Sequence, residues 1–325
     1  MIAALDELDL DLIRELDIGP RRSFQQLADS LHTSRNTVRR RTQRLLDEKI
    51  VTFVTITSPP ALGYRISATM AITTRPGDAD AVATRLASLA NVSHLLTTTG
   101  RYDIVAAALF HDLDSMLDFM DKELGSIPQA LSTEVMIGVN WMKFCLNPLT
   151  SIDHAFPVVP SSHKLDALDT SIISELENAP GQTNLELAAK LAVSRPTLKK
   201  RIQALQDDGI IRIGTLVDPS VIGFDVLAIL LIKVQKGRIK STAARLTELA
   251  EISNLIITAG SHDMIAYANF RDTHHMSEFI NDQAGRIADI VRVEAVIVHG
   301  IKKLSFSLLT LGLEPAGNSP SQAVC

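Results

Sequence analysis

Between Ser34 and Arg44 the chain places five arginines, Arg35, Arg39, Arg40, Arg41 and Arg44, and meets no acidic residue until Asp47. Guanidinium groups at helical spacing suit the neutralisation of phosphates, and Asn36 and Thr37 beside them carry short polar groups able to touch base edges in a major groove. A second stretch answers the first with Ser194, Arg195, Thr197, Lys199, Lys200 and Arg201, with Pro196 in the first turn, where proline is tolerated, and Ala204 in place of Arg44. The candidate contacts to nucleic acid are therefore Ser34, Arg35, Asn36, Thr37, Arg39, Arg40, Arg41 and Arg44, with Ser194, Arg195, Thr197, Lys199, Lys200 and Arg201 as a weaker second reader. A charge run is usually a solvated helix face; here the missing counter-charges argue for a polyanionic partner.

A second pair of motifs is the turn Thr99-Gly100-Arg101-Tyr102-Asp103, answered by Ala259-Gly260-Ser261-His262-Asp263. Glycine there permits positive φ and the aspartate can accept from local amides, so the turn serves either hairpin geometry or a ligand. Sets suited to catalysis are not found. His274-His275 lack a Glu-x-x-His partner and a nearby cysteine, His94 and His111 are answered by Asn254 and Arg271, and no glycine-rich phosphate loop occurs. Neither a metal nor a cofactor is expected.

The elements that must position these residues come twice. Leu5-Asp6-x-Leu8-Asp9 recurs as Leu165-Asp166-x-Leu168-Asp169, and the shift of 160 residues then holds without a gap through Leu27-Ala28, Ser34-Arg35, Arg41, Pro59, Gly63, Gly100, Asp103, Phe119, Gly125 and Glu134. In each copy an apolar stripe at helical spacing (Leu5, Leu8, Leu12, Ile13, Leu16) ends at a proline. A short helix around Phe24 to Leu31, a tight turn and a helix from Arg35 to Asp47 with Ser34 as N-cap follow, which is a helix-turn-helix. Neither turn contains the glycine often found there. Val51 to Ile56 reads as a connecting strand. Beyond it, strand 66–74, helix 79–90, strand 92–99, strand 102–110, helix 113–124 and strand 131–139 give the βαββαβ order of a ferredoxin-like domain.

The expected class is α+β: two tandem copies of a winged-helix-like helix-turn-helix domain plus a ferredoxin-like, ACT-like domain. The expected boundaries are helix-turn-helix 1–57, ferredoxin-like 58–144, linker 145–164, helix-turn-helix 165–217, ferredoxin-like 218–304 and tail 305–325. Pro148, Pro157, Pro160, Ser161 and Ser162 mark the linker, and Gly317-Asn318-Ser319-Pro320 the tail.

With 325 residues, 46% hydrophobic and 21% charged, the chain has the composition of a multidomain globular protein. A net charge of −5 excludes a uniformly basic packing protein, so any nucleic-acid contact must be a local basic patch. Cys145 and Cys325 stand at no zinc or disulfide spacing. The start of the chain lacks a signal peptide and no apolar window is long enough to span a bilayer, so a cytoplasmic protein without a membrane partner is expected.

The Leu-Asp-x-x-Asp start, the Leu-Ala-x-x-Leu-x-x-Ser-Arg-x-Thr run, Arg41 and Arg201, the Pro-x-x-x-Gly connector and Gly-x-Tyr-Asp at residues 100–103 together resemble the Lrp/AsnC, or feast/famine, regulators. The resemblance implies a transcription regulator that binds double-stranded DNA, forms a homo-oligomer through its ferredoxin-like sheets, and takes an amino acid or related metabolite as effector near the Gly-x-Tyr-Asp turn. Carried over by position, the effector residues are Thr98, Gly100, Tyr102 and Asp103, with Gly260 and Asp263 in the second copy, which departs at His262. The fused pair departs from the usual single-copy chain, so one chain can stand for one family dimer. A related family of siroheme decarboxylases shares this fold, but carries a His/Arg-bearing segment where this chain has Leu95-Leu96-Thr97-Thr98-Thr99 and Leu255-Ile256-Ile257-Thr258-Ala259. An enzyme is therefore not expected. An effector-independent architectural DNA-binding protein is the other alternative.

Overall fold

The computed structural model describes residues 5–150, 152–153 and 164–311. They form two compact units, and each unit contains one half of both copies: unit 1 holds residues up to Ser58 with Phe144–Asp225, and unit 2 holds Pro59–Lys143 with the chain from Val226 onward.

Unit 1 contains the two helix-turn-helix segments. The first has α1 (Glu7–Ile18), α2 (Phe24–Ser30), α3 (Arg35–Asp47) and β1 (Val51–Thr57). Capping sets the starts. Asp6 and Asp9 form a reciprocal capping box on α1, Ser23 and Gln26 one on α2, and Ser34 accepts from the Thr37 amide to start α3. Leu12, Ile13, Leu16, Leu27, Ala28, Val38 and Leu45 converge in one core. β1 does not fold back as a hairpin wing of its own copy. It pairs antiparallel with its second-copy counterpart, Val51 opposite Val217 through Thr57 opposite Ile211, without a bulge.

The second segment has α6 (Ala167–Asn178), α7 (Asn184–Lys190), α8 (Arg195–Asp207) and β6 (Ile211–Val217). α1 packs on β6 and α6 on β1, so each copy's first helix covers the other's strand. Of the expected linker, Cys145, Leu146 and Asn147 are buried and Leu149 packs on the first helix-turn-helix core. Its remaining marker residues from Pro157 onward lie outside the described residues.

Unit 2 contains both ferredoxin-like domains. The first has β2 (Ile66–Thr74), α4 (Ala79–Ala87), β3 (Val92–Thr99), β4 (Ile104–Phe110), α5 (Leu113–Asp118) and β5 (Ala130–Phe144). The second has β7 (Val226–Val234), α9 (Ile239–Thr247), β8 (Ile252–Ala259), β9 (Met264–Phe270), α10 (Thr273–Glu278) and β10 (Ile290–Leu304). The strands run β10-β3-β4-β2-β5-β8-β9-β7 in a closed ring, so β5 and β10 each bridge from their own sheet to that of the other copy.

That bridging explains why β5 is 15 residues long, well beyond the expected 131–139: it has a partner on both edges. Helix 113–124 passes into a wider π turn at Phe119, and the strand expected from 102 starts at Ile104 because Tyr102 and Asp103 belong to the turn.

Strand alternation divides the side chains. Met70 and Ile72 pack beneath α4 with Val82 and Leu86, whereas Ala71, Leu96, Val105 and Met136 face inward. There they meet Ile229, Leu231, Ile265 and Val296 of the second copy. The apolar sheet face of each copy is thus covered within the chain. A short helix α11 (Leu308–Leu311) follows β10, and Leu308 packs on Tyr64 and Leu109. Gly317 to Pro320 lie outside the described residues.

Candidate nucleic-acid interface and ligand cavity

The cations of α3 divide into two groups. Arg35, Arg39 and Arg40 are exposed, as are Asn36 and Gln43. Arg41 instead reaches back to α1, 2.7 Å from both Asp6 and Asp9, and Arg44 lies 2.5 Å from the other oxygen of Asp9, a carboxylate only 1% exposed. Arg41 also holds the Asp6 carboxyl below its ordinary value, with the Asp9 amide adding to the effect. Arg201 repeats the arrangement with Asp166 at 2.7 Å and Asp169 at 3.1 Å. Arg41, Arg44 and Arg201 therefore tie each reading helix to the first helix of its own copy. Ser34 with Thr37, and Ser194 with Thr197, are engaged in capping their helices, hydroxyl to hydroxyl at 2.9 Å and 2.7 Å.

One face of α3 is open: Asn36, Arg39, Arg40 and Gln43, at the i, i+3, i+4, i+7 spacing, line a groove of about 700 Å³ with Arg44, Asp47 and Glu48, and the Gln43 amide donates to Asp47 at 2.8 Å. Gln43 was not among the residues expected from sequence, although the spacing alone places it there. The second copy presents Pro196, Lys199, Lys200 and Gln203 in the same positions, all exposed. In the turns before the two helices, the left-handed position that glycine would ease is held by His32 at φ 49° and Ala192 at φ 53°.

The effector residues expected from sequence lie at the turns, where both aspartates bond to the neighbouring strand and Thr98 bonds within its own turn. Asp103 accepts from the Thr74 amide at 2.7 Å, the Thr98 hydroxyl donates to the Tyr102 carbonyl at 2.7 Å, and Asp263 accepts from the Val234 amide at 2.9 Å. Gly100 has φ 122°, and Gly260 lies so close to β5 that a Cβ would stand 2.8 Å from the Val135 carbonyl oxygen.

The open space beside the turns is lined by other residues: Arg101, Glu134, Lys233, Ser261, His262 and Arg292 enclose a cavity of about 280 Å³. Arg101 spans the two copies, 2.6 Å from Glu134 and 3.4 Å from Glu294, with its guanidinium over the Tyr102 ring. His262 stands 3.6 Å and Arg292 3.5 Å from Glu294, and Lys233 donates to the Ser261 carbonyl. Burial lowers the His262 pKa, against the opposing pull of Glu294 and Glu134. Burial, then Glu134, raise that of Tyr102. The buried Tyr102 hydroxyl faces the Glu134 carboxylate, which also meets Ser261.

The histidines set aside in the sequence stay apart. His94 is half-buried against Phe306 and Ser93, His111 stacks on Tyr64, and His275 faces Glu251. Among the described residues no group of three potential metal ligands occurs, and no helix is long and apolar enough to cross a membrane.

The family model of the AsnC-type helix-turn-helix domain matches residues 5–46, that of a winged helix-turn-helix DNA-binding domain matches 165–212, and that of the Lrp/AsnC ligand binding domain matches twice, at 67–143 and 227–307. The chain belongs to the Lrp/AsnC family, in a tandem form, and is a DNA-binding transcription regulator with a ligand-binding domain in each copy.

Its relatives match one copy at a time. An uncharacterised HTH-type transcriptional regulator of Pyrococcus furiosus is 28% identical over 44% of this chain and 97% of its own length. The regulator Ptr1 of Methanocaldococcus jannaschii is 31% identical over 37% of this chain and 82% of its own. A structure similar over both copies is that of the siroheme decarboxylase NirDL, with a TM-score of 0.64 and 15% identity over 94% of this chain and 97% of that one. At that identity the likeness is one of fold.

Proposed function

We propose that this regulator binds double-stranded DNA through the exposed faces of α3 and α8, with Arg35, Asn36, Arg39, Arg40 and Gln43 on one helix and Arg195, Lys199, Lys200 and Gln203 on the other. A small metabolite of amino-acid type in the cavity beside the two turns would modulate that binding. The observation that carries the DNA assignment is the open face of α3 lined by Arg39 and Arg40, which have no internal acidic partner, with Arg35 exposed at the start of the same helix. Changing Arg35, Arg39 and Arg40 together to Ala should weaken binding and flatten the slope of log affinity against log salt by about 0.9 for each phosphate no longer neutralised. An unchanged slope would overturn the assignment.

For the metabolite, the cavity has about 280 Å³, close to the lower end of the roughly 300–1,000 Å³ usual for ligand pockets. Glu134, with the Tyr102 hydroxyl beside it, is an acceptor for an ammonium, and Lys233 and Arg292 are cations for a carboxylate. A thermal-shift screen against amino acids tests it, since a ligand at a hundred times its Kd adds about 2.7 kcal/mol. Glu134→Gln and Tyr102→Phe should each reduce the shift, while loss of response in Asp103→Asn would track a loss of folding. The reading is of a binding protein in the cytoplasm. Its whole-chain likeness to NirDL is tested by adding a tetrapyrrole, where no Soret change is expected. Self-association of whole chains is part of the reading: Leu131, Val139 and Trp141 of β5 and Val291, Ile301 and Leu304 of β10 are exposed, and light scattering should give an even multiple of chains, a tetramer first.

A further inference from the structure

Resting on the DNA-binding reading above, we infer that the chain recognises a directed, non-palindromic site. The base sequence is demanded by the half under α3, and the half under α8 is held mainly through phosphates.

The argument starts from the four positions on each groove-facing stripe. On α3 all four side chains end in planar groups with two hydrogen-bonding atoms side by side: Asn36, Arg39, Arg40 and Gln43. Asparagine and glutamine match adenine in this way, and the guanidinium fork matches guanine. On α8 the same positions hold Pro196, Lys199, Lys200 and Gln203. Proline has neither a side-chain donor or acceptor nor an amide hydrogen, and a lysine ammonium is a compact point charge that neutralises a phosphate without a fixed direction. Only Gln203 keeps the bidentate chemistry. Arg44 against Ala204 does not enter, because Arg44 is held by Asp9.

The joint between the readers makes this asymmetry a property of the site. β1 and β6 pair over seven residues in one register, the Thr57 hydroxyl donates to Glu177 at 2.6 Å, and the Thr215 hydroxyl donates to the Leu16 carbonyl at 3.0 Å. Arg21 adds a one-sided latch, reaching Asn184 and the Gln182 carbonyl, where the second copy has Gly181. The two helices therefore approach DNA as one body, in a fixed order and at a fixed spacing. A pair of identical subunits meets a palindrome the same way round in either orientation. Here a site has a head and a tail, and inverting it turns the bound protein end for end.

Selection of duplexes by the full-length protein from a randomised pool, followed by base-pair substitution across the best site, tests the inference. In one half, single substitutions should cost about 5- to 150-fold in affinity, and in the other less than about threefold. Arg40→Lys with Asn36→Ala should flatten the demanding half to the tolerance of the other. Pro196→Asn with Lys200→Arg should add a preference to the tolerant half, shifting the selected sequence toward a palindrome. Equal demands in both halves, or a drop in discrimination from Lys200→Ala as large as from Arg40→Ala, would overturn the directed site alone. Failure to bind any duplex would remove the DNA-binding assignment as well.

Discussion

The same two copies are joined twice, and the two seams are made of different chemistry. In unit 1 the seam is a two-stranded ribbon in which buried apolar side chains, Val51, Val54, Ile56, Ile211, Ile213 and Val217, are accompanied by buried polar ones that bond across the copies: Thr57 with Glu177, and Thr215 with Asp17 and the Leu16 carbonyl. In unit 2 the seam is the inside of a closed ring of strands, filled by Leu96, Val105, Met136, Ile229, Leu231, Ile265 and Val296. Hydrogen bonds are directional and contribute little net free energy each, whereas apolar burial is non-directional and large. The ribbon is therefore suited to fixing the register of two reading helices, and the barrel to holding the two copies together.

The largest expected effect follows from that contrast. Ile229→Ala empties part of a fully buried site at the barrel seam and should cost about 2–5 kcal/mol. Thr57→Val, close in shape, removes the donor to the buried Glu177 carboxylate and should cost about 1–3 kcal/mol. Urea unfolding of the full chain compares them, with Trp141 on β5, the sole tryptophan, reporting unit 2 and helical circular dichroism reporting both. A Thr57→Val cost above that of Ile229→Ala would reverse the roles given to the two seams.

These seams also mark where sequence stopped being informative. The start of α3 was legible because its cap is local, Ser34 lying three residues before Thr37; Asp6 with Asp9 and Ser23 with Gln26 have the same spacing but were not among the caps expected from sequence. The βαββαβ order was legible from the alternation of apolar runs and turns. The partner of β1 was not, since nothing in Val51 to Thr57 distinguishes a wing from a ribbon whose other strand lies 160 residues away.

The same distance hid part of the charge pattern. Arg41 and Arg44 carry ion pairs to Asp9, which α1 brings to them from more than thirty residues upstream. The cavity was hidden for a different reason. Its cations Arg101, Lys233 and Arg292 are not related by the repeat, their counterparts being Ser261, Thr73 and Ser132, so comparing the copies could not find them. The Gly-x-Tyr-Asp motif leads to one of them, Arg101 at its variable position, but not to Lys233 or Arg292 on other strands.

A second test sharpens the comparison between copies in acid. His94 on β3 has its pKa lowered to about 4 by burial, with nearby Lys303 adding to the effect, while the second copy has Asn254 at the same place. A histidine whose folded pKa lies below its ordinary 6.5 binds its proton more readily in the unfolded chain. Its contribution is complete above pH 6.5 and is lost as pH falls from there to about 4. His94→Asn should therefore flatten the dependence of Tm on pH across that window, with little change at pH 8. An equally steep profile in the variant would place the acid sensitivity elsewhere.

The smallest effect concerns the residue that ends each reading helix. Lys49 after α3 holds φ 56°, and its amide donates to the Leu46 carbonyl at 3.1 Å; Gly209 after α8 holds φ 65° and donates to Gln206 at 3.0 Å. The two turns have the same geometry, but only glycine adopts it without crowding its own Cβ. Lys49→Gly should raise stability by at most about 1 kcal/mol, the relief of strain being partly offset by the greater freedom of glycine in the unfolded chain. Gly209→Lys should lose a similar amount, and equal Tm values for both variants and the parent would refute the strain. Because Lys49 is exposed at the end of the arginine-rich helix, the same variant asks why a lysine is there at all. If Lys49→Gly stabilises the chain yet lowers the salt slope of DNA binding by about 0.9, the strained residue is a phosphate contact that the second copy lacks, in keeping with the greater demand made under α3. If stability rises and the slope is unchanged, the asymmetry of the two readers rests on the groove-facing positions alone.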